Sequence, residues 1–141
     1  MIRLHGTAIF WEGRGILLRG APGSGKSDLA LRCLDHGAVL VADDQVEILA
    51  REGALLARPP AALAGRLEVR GIGLCAVPHR AETGLDLLVD LVAREAVARL
   101  PEPARERICG IELPLWRLAP FEASAPAKLR RLALGGPDAP A

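Results

Sequence analysis

The stretch GAPGSGKSD, running Gly20, Ala21, Pro22, Gly23, Ser24, Gly25, Lys26, Ser27, Asp28, decides the fold class of this 141-residue chain. It fills every fixed position of the pattern G-x-x-x-x-G-K-[ST]. It also stands between an apolar run, GILLR, and a segment with helical spacing, DLALRCLDH. A strand before and a helix after are what give the pattern meaning. Gly20, Gly23 and Gly25 let the backbone turn so that successive N–H groups face phosphate oxygens. A helix starting near Ser27 adds its positive end. Lys26 supplies charge for β- and γ-phosphates, and the Ser27 hydroxyl can hold Mg²⁺. All nine residues are therefore expected to line a nucleotide site. A glycine-rich turn without a ligand is the plain alternative, and the strand–loop–helix setting speaks against it. Lys26 and Lys128 are the only lysines, so a lone lysine inside this loop is itself informative.

The totals exclude several classes. One domain is expected over residues 1–136, with a frayed tail at 137–141. Half the residues are hydrophobic, yet there is no Tyr and only two Phe and two Trp. Such an aliphatic chain has little with which to stack bases. Its net charge of +1 implies no polyelectrolyte, so no nucleic-acid partner is expected. Cys33, Cys75 and Cys109 are odd in number, widely spaced and apolar in setting, which reads as packing rather than metal ligation. No signal-peptide core and no membrane-length apolar run occurs, so a cytoplasmic protein is expected.

Along the chain, TAIFW and GILLR form a hairpin around Gly13–Gly15, and AVLVA (38–42) is a buried strand ending at Asp43 and Asp44. VEILA and ALLA make a second hairpin around Glu52-Gly53. LEVRGIGLCAV reads as a strand interrupted by two glycines, and LDLLVDLV (85–92) as another strand. REAVARLPEPARER is a polar surface excursion. IELPLWRL is an edge strand on account of Pro114. SAPAKLRRLAL is a helix capped by Ser124. Hairpins around one strand–loop–helix unit give an α/β P-loop domain with a mixed sheet. A purely parallel sheet would need more crossover helices.

Beyond the loop, three elements narrow the chemistry. Adjacent carboxylates alternate in direction on a strand, so Asp43 and Asp44 divide into one facing Mg²⁺ or an acceptor hydroxyl and one in support. Glu68 and Arg70, two apart, share one strand face, either as an ion pair or as metal and phosphate contacts. His5 precedes the first hairpin. No guanine-reading NKxD element occurs, which lowers a GTPase.

The order LHG, GAPGSGKSD, LVADD, LEVRGIG resembles the catalytic domain of HPr kinase/phosphorylase. That family carries HG, then G-x-S-G-x-G-K-S-E, V-A-D-D and E-[IV]-R-G-[IL]-G. The match covers residues 4–77 well and the remainder loosely. The resemblance implies a fold similar to phosphoenolpyruvate carboxykinase, with ATP and Mg²⁺ used to phosphorylate a serine of the phosphocarrier protein HPr. It further implies reversal by phosphorolysis and a homo-oligomer. By motif, Asp43 is the general base, with His5 in support and Lys26 on the phosphates. Ser27, Asp44 and Glu68 hold the metal, and Arg70 is an electrostatic partner. LHG begins at residue 4, so the family's N-terminal domain is expected to be absent, as in short forms resembling those of α-proteobacteria. LAPFEASAP stands where the family has P-V-R-P-G-R-N, with no arginine between Arg117 and Arg130, so phosphorolysis is expected to be weak. The other readings are a P-loop kinase of small molecules, which needs a lid, and a nucleotide-sensing module, which needs no base.

Overall fold

The computed structural model describes residues 1–140; Ala141, the last residue of the expected tail, lies outside the described residues. Among the described residues, twelve strands and two α-helices follow in chain order. The strands are β1 (Ile2–His5), β2 (Thr7–Trp11), β3 (Arg14–Arg19), β4 (Val39–Ala42), β5 (Gln45–Arg51) and β6 (Ala54–Arg58). They continue with β7 (Arg66–Val69), β8 (Gly73–Ala76), β9 (Thr83–Gly84), β10 (Leu87–Leu91), β11 (Ala104–Ile108) and β12 (Ile111–Leu118). The helices are α1 (Lys26–Leu34) and α2 (Ala125–Ala133).

A six-stranded sheet of order β11-β12-β10-β3-β2-β4 forms the middle layer. Its centre, β3, β10 and β12, is parallel; β11, and β2 against both its neighbours, pair antiparallel. The mixed α/β sheet read from the sequence is therefore observed. Alternate residues of the central strands feed two cores. Ile9, Ile16, Leu18 and Val89 pack with Leu29 and Cys33 of α1 and Leu129 of α2. Ala8, Leu17 and Leu88 pack with Val46, Ile48, Leu55 and Ala57. The latter belong to β5 and β6, part of a four-stranded antiparallel sheet, β1-β5-β6-β9, on the opposite face. A strand buried on both faces has no reason to alternate, and that is why GILLR and LDLLV read as continuous apolar runs. Among the described residues no helix is long and apolar enough to cross a membrane.

Three hairpins close on two-residue turns with both residues at positive φ: Glu12-Gly13, Glu52-Gly53 and Cys109-Gly110. This primed geometry matches the twist of the paired strands. The first turn thus sits ahead of the expected Gly13–Gly15, because Gly15 is needed inside β3. A Cβ there would come within 1.8 Å of the Gly84 carbonyl oxygen, and the Gly15 N–H donates to Asp86 at 2.8 Å.

Other expectations change with the structure. IRLH is a strand, β1, pairing with β5. ARERI is strand β11, within the segment read as a surface excursion. LEVRGIGLCAV is a hairpin, β7–β8, turning at Arg70–Ile72. β12 is interior, with β11 on its outer side, despite Pro114. Ile108 and Ile111 close the turn as a hydrogen-bonded pair, so by alternation the Arg105–Pro114 pair is a non-bonded one. Pairing to β10 begins only at Leu115, so neither ladder calls on the missing N–H. Ser124 occupies the N-cap of α2 without a side-chain capping bond. Gly136–Asp138 form a 3₁₀ turn that runs from the end of the expected domain into the expected tail. Cys33 is buried, with its thiol pushed up to about 12 by burial, but Cys109 is exposed in a turn.

Ion pairs tie the sheets at their margins. Glu47 of β5 accepts from Arg3 of β1 at 2.6 Å and Arg58 of β6 at 3.0 Å. Glu106 of β11 accepts from Arg19 of β3 at 2.5 Å. The guanidiniums of Arg3 and then Arg58 hold the Glu47 carboxyl below its ordinary range, and Arg19 does the same for Glu106. A carboxylate whose folded pKa is depressed contributes stability above its unfolded value, near 4.3, and loses that contribution as pH falls through the folded value. Thermal unfolding is expected to soften below about pH 4, and Glu47→Gln should flatten that acid limb in a pH series of melting curves.

Candidate active site

The parallel strands β3, β10 and β12 end on one side of the molecule. Two antiparallel steps, β3 to β2 and β2 to β4, bring the end of β4 to the same side. The Gly20 loop and the Asp43-Asp44 pair therefore meet, although the strands that deliver them are not neighbours. Ligands of open α/β sheets bind at such carboxyl ends.

In the loop, Gly23 and Gly25 take φ of +78° and +94°, which glycine alone adopts without strain. Gly20 is constrained differently, since a Cβ would meet the Ser24 hydroxyl at 2.4 Å. Gly25 is the N-cap of α1 with no side-chain capping bond, so the first-turn N–H groups have no side-chain acceptor of their own. Lys26 folds back over the loop. Its Nζ donates to the carbonyl oxygens of Gly20 at 2.8 Å and Ala21 at 3.1 Å. A cation resting on backbone carbonyls, beside an uncapped helix start and a glycine-lined loop, fits a polyphosphate that would take over those contacts.

Asp43 is buried and fully engaged. Its Oδ1 accepts from Ser27 Oγ at 2.7 Å and Thr7 Oγ1 at 2.9 Å, while Oδ2 accepts the Glu68 N–H at 3.0 Å. One carboxylate thereby joins α1, β2 and β7, and its nearest functional neighbour is the hydroxyl of the loop. Asp44 is the opposite case. Its φ of +67° takes the chain out of line with β4, and the Gly6 N–H donates to its carbonyl oxygen at 3.2 Å. Its side chain is 67 % exposed, with the carboxylate 3.9 Å from His5 Nδ1. Asp tolerates this left-handed conformation better than most residues.

Glu68 and Arg70 both line the cleft, but not as a same-face strand pair. Arg70 lies past the end of β7, in the turn, and among the described residues the two form no ion pair. Asp28 lines the cleft and sits 3.1 Å from Arg32 Nε, one helical turn on. Arg32 donates to the carbonyl oxygens of Pro120 and Glu122, which ties α1 to the segment after β12. The cleft holds about 590 Å³, within the range of small-molecule sites. Among the described residues no group of three or more His, Cys, Asp or Glu is spaced to hold a metal alone. Any ion there would draw on Ser27, a carboxylate and phosphate oxygens. That donor set of hard oxygens is the chemistry Mg²⁺ prefers.

Thr7 and Phe121 also line the cleft and escaped the sequence reading. Thr7 is fully buried, a polar residue opening an otherwise apolar strand, and that was its one signal. Phe121 is 70 % exposed, and a Cβ on Gly25 would touch its ring at 3.0 Å. In a chain with two phenylalanines, an exposed one against the loop was legible only once the two were folded together.

Among known proteins, the HPr kinase/phosphorylase of Clostridium tetani is 44 % identical over 89 residues, which are 63 % of this chain and 28 % of that protein. The HPr kinase/phosphorylase of Lactobacillus acidophilus is 32 % identical over 124 residues, 79 % of this chain and 38 % of that protein. The chain thus spans well under half the length of these relatives. A solved structure, that of the Hpr(Ser) kinase/phosphatase from Coxiella burnetii, has a TM-score of 0.85 over 94 % of this chain and 93 % of that one. At 24 % identity that likeness concerns the fold. A family model, the HPr Serine kinase C-terminal domain, matches residues 1–118, which contain every strand of both large sheets together with the loop and the paired aspartates. On that match, the chain belongs to the HPr serine kinase C-terminal domain family.

Proposed function

We propose that the protein is a Mg²⁺- and ATP-dependent kinase that transfers the γ-phosphoryl group to a serine of an HPr-like phosphocarrier protein. The observation that carries this reading is the division of labour between the two aspartates. Asp43 is committed to Ser27, the hydroxyl expected on the metal, whereas Asp44 stands exposed in the same cleft beside His5. A general base must reach the acceptor hydroxyl, and of the two aspartates Asp44 is the one whose carboxylate is exposed. We therefore reverse the roles expected from the motif: Asp44 is the base and Asp43 belongs to the metal side.

Lys26 leaves the carbonyls of Gly20 and Ala21 to neutralise the β- and γ-phosphates. Ser27, held by Asp43, and Glu68 would supply oxygens to Mg²⁺, which when bound would spread the charge of the transferred group. Arg70 in the hairpin turn adds a cation at the rim. The serine oxygen attacks the γ-phosphorus, its proton passes to the Asp44 carboxylate, and the bond to the ADP oxygen breaks. His5, with Nδ1 3.9 Å from the carboxylate, stands in support of Asp44. The names of the relatives support HPr as acceptor.

Mass spectrometry of HPr after incubation with the protein, Mg²⁺ and ATP tests this reading. One phosphoryl group on a serine is the expected product, and unmodified HPr at full turnover time would end the proposal. In the reverse direction, release of pyrophosphate from seryl-phosphorylated HPr is expected to be much slower, since residues 118–129 carry no arginine to hold incoming phosphate.

A further inference from the structure

The chain crosses between the two large sheets twice at one spot. It leaves β1 of the four-stranded sheet at His5, which pairs with Gln45, and enters β2 of the six-stranded sheet at Thr7, with Ala8 paired to Ala42. The second crossing runs the other way, from Ala42 of β4 through Asp43 and Asp44 to Gln45 of β5. The two crossings therefore lie side by side, Gly6-Thr7 against Asp43-Asp44, and they are tied twice. The Gly6 N–H donates to the Asp44 carbonyl oxygen at 3.2 Å, and the Thr7 hydroxyl donates to Asp43 Oδ1 at 2.9 Å. Only glycine fits at residue 6 without a shift, since a Cβ there would stand 3.0 Å from the Leu18 carbonyl oxygen.

We propose that Thr7 is a positioning residue for the metal: its hydroxyl fixes the Asp43 carboxylate, and through it turns the Ser27 oxygen toward Mg²⁺. The inference rests on the metal-side reading of Ser27 and Asp43 and deepens it. Thr7 is fully buried, and Ala8 and Ile9 beside it on β2 are buried and apolar, so valine would fill the same space. What threonine adds is a hydroxyl that must find a partner. Thr83, also buried, finds one next to it, in the Gly84 carbonyl oxygen. Thr7 reaches instead to a carboxylate 36 residues further along the chain. Its proton falls on Oδ1, the oxygen that also accepts from Ser27 Oγ at 2.7 Å, while the Glu68 N–H holds Oδ2 at 3.0 Å. With both oxygens held, the carboxylate keeps one orientation, and the Ser27 proton stays on Oδ1. The lone pairs of that hydroxyl are then left for the cleft, which Ser27 lines. Partners one step behind a metal ligand set its direction in this way.

Calorimetry of the intact protein with ATP, once in Mg²⁺ and once in a chelator, reads what the metal adds to binding. In Thr7→Val the affinity without Mg²⁺ should match that of the unaltered protein. The gain on adding Mg²⁺ should shrink by about tenfold or more, the scale of losing such an outer partner. Thr7→Ser keeps the hydroxyl and should restore the gain. The Mg²⁺ concentration for half-maximal turnover should rise by a similar factor in Thr7→Val, with kcat recovering at saturating Mg²⁺. A purely structural threonine gives another pattern, a lower melting temperature with ATP weakened equally in both conditions. That pattern, a Thr7→Val protein that does not fold, or an undiminished Mg²⁺ gain overturns the proposal. If Mg²⁺ makes no difference to ATP binding in the unaltered protein, the metal-side reading itself fails and the proposal falls with it, an outcome distinct from the others.

Discussion

Asp44→Asn is expected to lower kcat for serine phosphorylation by about 10²–10⁴-fold, the contribution of a positioned general base. The change removes the proton acceptor and almost nothing else. Asn adopts the left-handed backbone of residue 44 as readily as Asp, and the side chain is largely exposed, so the melting temperature should hold. ATP affinity should also hold, because the carboxylate has no contact with the loop. Asp43→Asn should behave differently. Three donors converge on that carboxylate, and an amide presents an NH₂ to at least one of them. Leaving a buried donor unsatisfied costs about 1–3 kcal/mol, which should appear as a melting temperature lower by several degrees and a raised Mg²⁺ requirement. Paired measurements of melting, ATP binding and HPr phosphorylation separate the two. Full activity in Asp44→Asn, with an inactive but normally stable Asp43→Asn, would return the base to Asp43.

Lys26→Ala should reduce turnover on the order of 10²–10³-fold, the scale seen when one preorganised donor to a developing charge is removed. Unlike Asp44→Asn, it should also weaken ATP, because the same ammonium meets the phosphates in the ground state. The fold should survive. In the resting loop Lys26 donates only to two backbone carbonyls and, at 3.4 Å, to the Ser24 hydroxyl, and partly exposed bonds of this kind contribute about 1 kcal/mol each at most. Circular dichroism and the melting temperature check the fold, and calorimetry with ATP checks the affinity. Unchanged turnover in a folded Lys26→Ala variant would mean that this loop is not the working site.

The sequence by itself determined the parts whose physics is local. The loop from Gly20 to Asp28 is legible because glycines, a lysine and a hydroxyl at fixed spacing are the whole device. The buried strands are legible because burial on two faces leaves an unbroken apolar run, as in GILLR. Primed turns are legible where a glycine stands second, as at Glu52-Gly53. The motif order then carried the family. What only the tertiary structure decided depends on partners far along the chain. Strand β11 is polar because its apolar neighbours are few, and it became a strand by pairing with β12. Pro114 reads as an edge signal, yet it sits inside the sheet because the two ladders leave its nitrogen uncalled for. Above all, adjacency in sequence could not say which aspartate faces the hydroxyl of Ser27. That was decided by the left-handed backbone of Asp44 and by donors from Thr7, Ser27 and Glu68, which meet at Asp43 only when three separate elements pack together.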